Sequence, residues 1–298
     1  MNVLAGTSDG LYALGGSGAT GGMAEAQHHG HRVASLAAGG SEVWALLDDR
    51  SVLRRDARGA WVALAATTSD PLTCVNHTPA GWLAGTAGAH LLQADSMTAV
   101  SSFDAVEGRE RWFTPWGGPP DTRSISASEE VIYVNVHVGG IPCSTDRGRT
   151  WHPTIDVDAD VHQALAHDGL VLGAAAVGLA VSGDQGRSWT VREEGLHSTY
   201  LRAVAVAGDT VLVSASRGPG GRQSSIYRGA LTGGTLERCR DGLPEWFSSN
   251  IDTGCLAAHE ELAVFGTAEG SVFVSEDAGR RWELFAEGLP PVLCLVLA

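Results

Sequence analysis

The stretch STDRGRTW (residues 144–151) occurs twice more in the chain, as SGDQGRSW (182–189) and SEDAGRRW (275–282). All three copies fit the pattern S-x-D-x-G-x-x-W. The aspartates lie 38 residues apart between positions 146 and 184, and 93 residues apart between positions 184 and 277. These spacings are one and about two periods of roughly 40 residues, the length of a four-stranded β-propeller blade.

Two further markers repeat along the chain. A Gly-Thr pair ends the apolar runs LAGT (4–7), LAGT (83–86) and VFGT (264–267). A Gly-Leu pair follows acidic residues in EEGL (193–196), RDGLP (240–244) and AEGLP (286–290). Short apolar runs such as VIYVNVH (131–137) lie between the markers, with almost no helical periodicity. We predict an all-β fold, a seven-bladed β-propeller of four-stranded antiparallel blades that forms a single domain over residues 1–298.

The two ends of the chain predict how the propeller closes. Residues 2–5 have the pattern of a second strand, and PPVLCLVLA (290–298) has the pattern of an innermost strand. We expect the C-terminal strand to pair in the first blade, which would remove an open sheet edge. Six or eight blades are the alternatives, because the strand signal is weak between residues 15 and 31.

Composition limits the class of partner. With 44% hydrophobic and 18% charged residues, the chain is globular. A net charge of −14 argues against nucleic acid and against an anionic membrane surface. No leader peptide and no apolar run of ~20 residues are apparent, so neither a signal peptide nor a membrane helix is expected. The five cysteines have no paired spacing and are predicted to be reduced and buried, which favours a cytoplasmic location.

The motif S-x-D-x-G-x-x-W resembles the Asp-box, or BNR repeat, of propellers similar to sialidases and photosystem II assembly factors. The resemblance extends over nearly the whole chain. A short carboxylate in a tight turn accepts hydrogen bonds from its own turn, glycine permits a positive φ, and tryptophan covers apolar surface. We therefore predict structural roles for six residues: Asp146, Asp184, Asp277, Trp151, Trp189 and Trp282. The resemblance implies that a ligand site lies on the opposite face of the blades.

Sialidase activity is not predicted. The Arg-Ile-Pro motif of that family is missing near the N-terminus. Tyr200 and Glu245 are weak candidates for its tyrosine nucleophile and glutamate partner.

Basic and imidazole side chains recur on the face opposite the Asp-boxes. One repeat-equivalent position, at the start of the innermost strands, carries Arg32, Leu72, Arg123, His162, Arg202, Asp252 and Val292. The loops of the same face add His137, His197, Tyr200, Arg217 and the aromatic segments RWFTPW (111–116) and PEWFSSN (244–250). Because guanidinium groups bind carboxylates bidentately, this pattern predicts a pocket for a polar or anionic small molecule.

We predict an enzyme of the hydrolase or lyase class in preference to a scaffold. The predicted catalytic residues are His137, His162, Tyr200, Glu245 and Asp252. The predicted substrate-binding residues are Arg32, Arg123, Arg202, Arg217, Trp116, Trp246 and Phe247.

Two alternatives stay open. The first is a metal-dependent lyase or lactonase, in which His137, His162 and His197 hold a divalent metal ion. The second is a non-enzymatic scaffold that binds a protein partner through the aromatic loops.

Overall fold

The computed structural model describes residues 2–15, 23–64, 68–115 and 117–297. The described residues form seven antiparallel sheets, and the protein is a seven-bladed β-propeller, as predicted. The chain divides into two units. The terminal unit comprises Met1–Val33, Ala174–Leu179 and Val191–Ala298, and the central unit comprises Ala34–Gly173 and Ala180–Thr190.

The sheets of the terminal unit have the orders β27-β1-β2-β3, β19-β20-β21-β22 and β23-β24-β25-β26. Their strands are β1 (Asn2–Thr7), β2 (Gly10–Gly15), β3 (Met23–Gln27), β19 (Tyr200–Ala207), β20 (Thr210–Ser216), β21 (Ser225–Ala230), β22 (Glu237–Arg238), β23 (Leu256–His259), β24 (Leu262–Gly266), β25 (Val272–Ser275), β26 (Glu283–Ala286) and β27 (Val292–Leu297). The last strand of the chain pairs with the first, which confirms the predicted closure.

The sheets of the central unit have the orders β4-β5-β6-β7, β11-β10-β9-β8 and β12-β13-β14. Their strands are β4 (Val33–Gly39), β5 (Glu42–Leu47), β6 (Ser51–Arg55), β7 (Trp61–Ala63), β8 (Leu72–Thr78), β9 (Gly81–Thr86), β10 (Leu91–Gln93), β11 (Thr98–Ala99), β12 (Thr122–Ala127), β13 (Ile132–Val136) and β14 (Cys143–Ser144). The remaining sheet is β15 (Val161–His167), β16 (Leu170–Ala175), β17 (Gly178–Ser182) and β18 (Thr190–Arg192). Three short 3-10 helices are described: η1 (Phe103–Ala105), η2 (Arg109–Arg111) and η3 (Val157–Ala159).

One blade departs from the predicted four strands. The sheet β12-β13-β14 has three strands, and its fourth position is reduced to an isolated bridge between Cys143 and His152. These two residues exchange both backbone hydrogen bonds at 2.9 Å. Pro153 follows immediately and has no N–H to donate, so the ladder ends there.

The aspartates of the repeated motif bond to their own turns, as predicted. Asp146 accepts hydrogen bonds from the backbone N–H groups of Arg149 (3.0 Å) and Thr150 (2.8 Å), and from the Thr150 hydroxyl (2.7 Å). Asp56 accepts from the N–H groups of Arg58 and Ala60 at 2.9 and 3.0 Å, so a degenerate copy keeps the same turn. These carboxylates act as structural hydrogen-bond acceptors.

The Gly-Thr marker has a packing explanation. A Cβ atom built at Gly6 would lie 2.5 Å from Cys294 Sγ and 2.7 Å from Val33 Cγ1. A Cβ atom at Gly85 would lie 2.5 Å from Thr122 Cγ2, and one at Gly266 would collide with Val292. The glycine therefore lets the start of another strand approach the backbone closely.

The five cysteines are free and buried, as predicted. Burial raises the pKa of the Cys74 and Cys294 thiols to about 12. These thiols are protonated at neutral pH and behave as small apolar side chains. Among the described residues, no helix has the length and apolar character needed to cross a membrane.

Candidate metal centre

Two histidines and one aspartate of the central unit meet in a buried cluster. His137 follows β13, His162 is the second residue of β15, and Asp160 ends the 3-10 helix η3. One ligand atom from each residue lies within 4.8 Å of the others. The side chains of His137 and His162 are 3% and 0% exposed, whereas 28% of Asp160 is exposed. The cluster therefore has two buried imidazoles and a carboxylate that reaches solvent.

Local structure places the carboxylate. Asp156 caps η3 by accepting a hydrogen bond from the backbone N–H of Asp158 at 3.0 Å. Asp160 then adopts the left-handed conformation, with φ 48° and ψ 66°, and its N–H bonds back to Val157. After this turn the chain enters β15 at Val161. Asp160 therefore lies at the junction of η3 and β15, two residues before His162.

The two oxygens of Asp160 face different imidazoles. His137 Nε2 lies 3.3 Å from Oδ1, and His162 Nε2 lies 3.6 Å from Oδ2. Ligand atoms bound to zinc at 2.0–2.1 Å in a tetrahedron lie about 3.3 Å apart. Each imidazole nitrogen is therefore close to that distance from one oxygen of Asp160, and one ligand atom from each of the three residues lies within 4.8 Å of the others.

A second carboxylate stands behind His137. Asp121 Oδ1 lies 3.3 Å from His137 Nδ1, on the side of the ring away from Nε2. Arg123 Nε donates a hydrogen bond to Asp121 Oδ2 at 3.2 Å. Four side chains therefore follow one another in a row. They are the Arg123 guanidinium, the Asp121 carboxylate, the His137 imidazole and the Asp160 carboxylate.

Basic and acidic side chains alternate within this group. Burial alone would lower the pKa of His137, but the carboxylates of Asp121 and Asp160 raise it above its usual value. Burial alone would raise the pKa of Asp121 and Asp160, yet His137 and the neighbouring cations hold both values below normal. His137 and Arg123 are therefore the groups that favour the charged form of both carboxylates.

The sequence predicted part of this cluster. It identified His137, His162 and Arg123, and the structure brings these three together. Sequence reasoning missed Asp160 and Asp121. The available signal was an aspartate two residues before a predicted site residue in both DVH (160–162) and DTR (121–123).

The third predicted histidine ligand has other neighbours. His197 belongs to the terminal unit, and its Nδ1 lies 2.8 Å from the Tyr227 hydroxyl. Its ring is 4.8 Å from Trp246, on which the guanidinium of Arg238 stacks at 4.1 Å. Burial lowers the pKa of His197. Among the described residues, the three-ligand group does not include it.

Arg202, Tyr200 and Asp252 also come together, in the terminal unit. Arg202 Nη1 lies 3.0 Å from Asp252 Oδ1, and its guanidinium lies 5.3 Å from the centre of the Tyr200 ring. The carboxylate supplies the counter-charge that an arginine at this position requires.

The remaining predicted site residues are dispersed. Phe247 is buried against Phe265 and Phe273, with ring centres 5.5 and 5.6 Å away, so it belongs to the core. Three others are exposed: Arg32, Arg217 and Glu245. Trp116 lies outside the described residues.

Comparison with known proteins gives the fold. No protein-family model matches the chain, and neither does any curated protein sequence. The computationally designed Ika8 protein is 14% identical with a TM-score of 0.63, over 100% of this chain and 87% of that one. A nidogen/laminin complex gives 8% identity and a TM-score of 0.58, over 99% and 97%. BamB from Moraxella catarrhalis gives 14% identity and a TM-score of 0.52, over 93% and 82%.

At these low identities, the similarities show the β-propeller fold and nothing beyond it. The fold and the site together define a β-propeller with a candidate metal centre of two histidines and one aspartate.

Proposed function

We propose that this protein binds a divalent metal ion through His137, His162 and Asp160, and that it acts on a polar or anionic small molecule as a hydrolase or lyase. The observation that carries the proposal is the position of Asp160, whose two oxygens lie 3.3 and 3.6 Å from the Nε2 atoms of two buried histidines. Imidazole nitrogen with carboxylate oxygen is a donor set suited to Zn²⁺, Mn²⁺ and Fe²⁺.

Three protein ligands leave coordination positions for water or substrate. Sites of this kind are catalytic more often than structural, since a structural zinc site is closed by four protein ligands. A bound ion in such a site polarises a substrate oxygen or lowers the pKa of water. A divalent ion held by His137, His162 and Asp160 would add positive charge near Arg123, which would favour an anionic ligand.

Metal binding is measured directly on purified protein. Chain stripped with a chelator is titrated with Mn²⁺, Co²⁺ and Zn²⁺ by calorimetry, and the metal content of untreated protein is measured by mass spectrometry. We expect one ion per chain, and no saturable binding by Asp160→Asn or His162→Gln. Saturation at 100 times Kd should stabilise the fold by about 2.7 kcal/mol, seen as a rise in Tm.

His90→Gln is the matched control. His90 also lies beside a carboxylate, with its Nδ1 2.7 Å from Asp104 Oδ1, but both side chains are exposed. This variant should bind metal as the wild type does. If wild-type protein takes up none of the three ions, or if Asp160→Asn binds equally well, the metal site is wrong.

The chemical part of the proposal has its own test. Metal-loaded wild type is assayed against lactones, carboxylate esters and fluorogenic glycosides, with Asp160→Asn as the blank. Turnover that requires both the metal and Asp160 supports the hydrolase or lyase class. Metal binding without any turnover across these substrates would count against an enzyme and leave a metal-dependent binding protein.

A further inference from the structure

Asp121 stands in a fixed relation to the proposed metal ligand His137. It immediately precedes β12, and its carbonyl oxygen accepts the backbone N–H of His137 at 2.9 Å. The neighbouring pair in the ladder is Thr122 with Val136. The register of β12 and β13 therefore places the Asp121 carboxylate and the His137 ring side by side.

Arg123 determines which carboxylate oxygen of Asp121 faces the His137 ring. Its Nε donates to Oδ2 at 3.2 Å, which leaves Oδ1 at 3.3 Å from His137 Nδ1. The Asp121 and Arg123 side chains are 28% and 21% exposed, so the pair is largely shielded from water. A shielded, doubly engaged carboxylate has one preferred rotamer and a strong field at the ring nitrogen.

We infer that Asp121, oriented by Arg123, is a positioning residue for the metal centre. It holds the proton of neutral His137 on Nδ1, so that the lone pair of Nε2 points toward Asp160 and the metal. Metal-binding histidines commonly donate their other N–H to a carboxylate in this way, which fixes the tautomer and increases ligand basicity. The inference rests on the proposed function, because the Nδ1–H tautomer of His137 matters for binding only if Nε2 coordinates a metal ion.

Asp121→Asn tests this role. The amide keeps an acceptor for Nδ1–H but loses the negative charge, so metal affinity should fall about 10–100-fold, the range for outer carboxylates of metal sites. Titration with Co²⁺ gives the affinity and also a visible spectrum that reports ligand number and geometry. Arg123→Gln, which frees the Asp121 side chain, should weaken binding in the same direction by a smaller factor.

A matched variant separates positioning from charge in general. Asp104→Asn removes the carboxylate from another His–Asp pair of the central unit, that of His90, and should leave Co²⁺ affinity unchanged. Circular dichroism and Tm identify any variant that fails to fold. If Asp121→Asn does not fold, the Co²⁺ affinity of Arg123→Gln tests the inference instead.

A spectroscopic readout distinguishes positioning from structural support. Nitrogen NMR of the zinc-loaded wild type should show His137 with Nδ1 protonated and Nε2 bound to metal. In Asp121→Asn the Nδ1–H resonance should move or broaden while the rest of the spectrum is kept.

Failure of this inference can be told apart from failure of the metal site. If wild type binds Co²⁺ and Asp121→Asn binds it with equal affinity and an identical spectrum, only the role of Asp121 is wrong. If wild type binds no Co²⁺, the metal site is wrong and the role of Asp121 falls with it.

Discussion

At the scale of single residues, the repeated aspartates show how a motif can be fully explained by local bonding. Asp184 accepts from the hydroxyl of Ser188 at 2.7 Å, from its backbone N–H at 2.9 Å, and from the hydroxyl of Ser182 at 2.8 Å. These bonds lower the pKa of Asp184 to about 2, with Ser188 as the largest cause. The hydrogen-bonding capacity of the carboxylate is used within its own turn, which explains the aspartate without a ligand.

The pKa shift predicts a pH dependence of stability. A carboxyl group with a depressed folded-state pKa stabilises the fold above its unfolded pKa of 3.8, and this contribution is lost as the pH falls toward 2. We expect Asp184→Asn to have a lower Tm than wild type at pH 6, and the difference to shrink between pH 4 and pH 2. Thermal unfolding across this range measures it. A difference that stays constant down to pH 2 would contradict the assignment, and Ser188→Ala should reproduce part of the effect.

The candidate metal centre shows where residue-level prediction stops. His137 and His162 were predictable as neighbours because strand order and loop position follow from the repeat. Asp160 was not, because its side-chain direction depends on the left-handed backbone that ends η3, with φ 48°. Such a conformation is uncommon for a residue other than glycine and is not encoded by hydrophobic periodicity.

At the scale of strands, the Gly-Thr marker was visible in the sequence, but its cause was not. The apolar runs and turn residues predict strands and their order, because period and polarity are local properties. A missing side chain leaves no such local signal. The structure shows the cause of the marker. Gly266 faces Val292 so closely that no Cβ atom fits between them.

This packing predicts the effect of adding one methyl group. Gly266→Ala should lower the free energy of unfolding by about 1–3 kcal/mol, because a close-packed contact must open. Gly220→Ala is the control, since a Cβ atom there would have no neighbour within 4 Å. Chemical denaturation of both variants measures the difference. Equal stability of Gly266→Ala and wild type would show that the contact yields at little cost.

At the scale of the whole molecule, closure depends on one strand drawn from the far end of the chain. β27 pairs with β1 through the register Val3 with Leu297, Leu4 with Val296 and Ala5 with Leu295. The sequence predicted this pairing because the terminal segment has the pattern of an innermost strand that the first blade lacks. It did not predict the bulge between Gly6 and Thr7, which arises where the two strands lose register.

A charge placed in the closing strand tests how much the fold depends on it. Leu295 is 3% exposed and packs in a cluster with Val3, Ala5 and Phe285. Leu295→Asp should lower the free energy of unfolding by about 3–5 kcal/mol, the cost of a buried charge without a partner. Leu284→Asp, on β26, is the matched control. Leu284 is 42% exposed, so the carboxylate introduced there would stay in water. If denaturant midpoints of the two variants coincide, β27 contributes little to stability and the other strands hold the first blade without it.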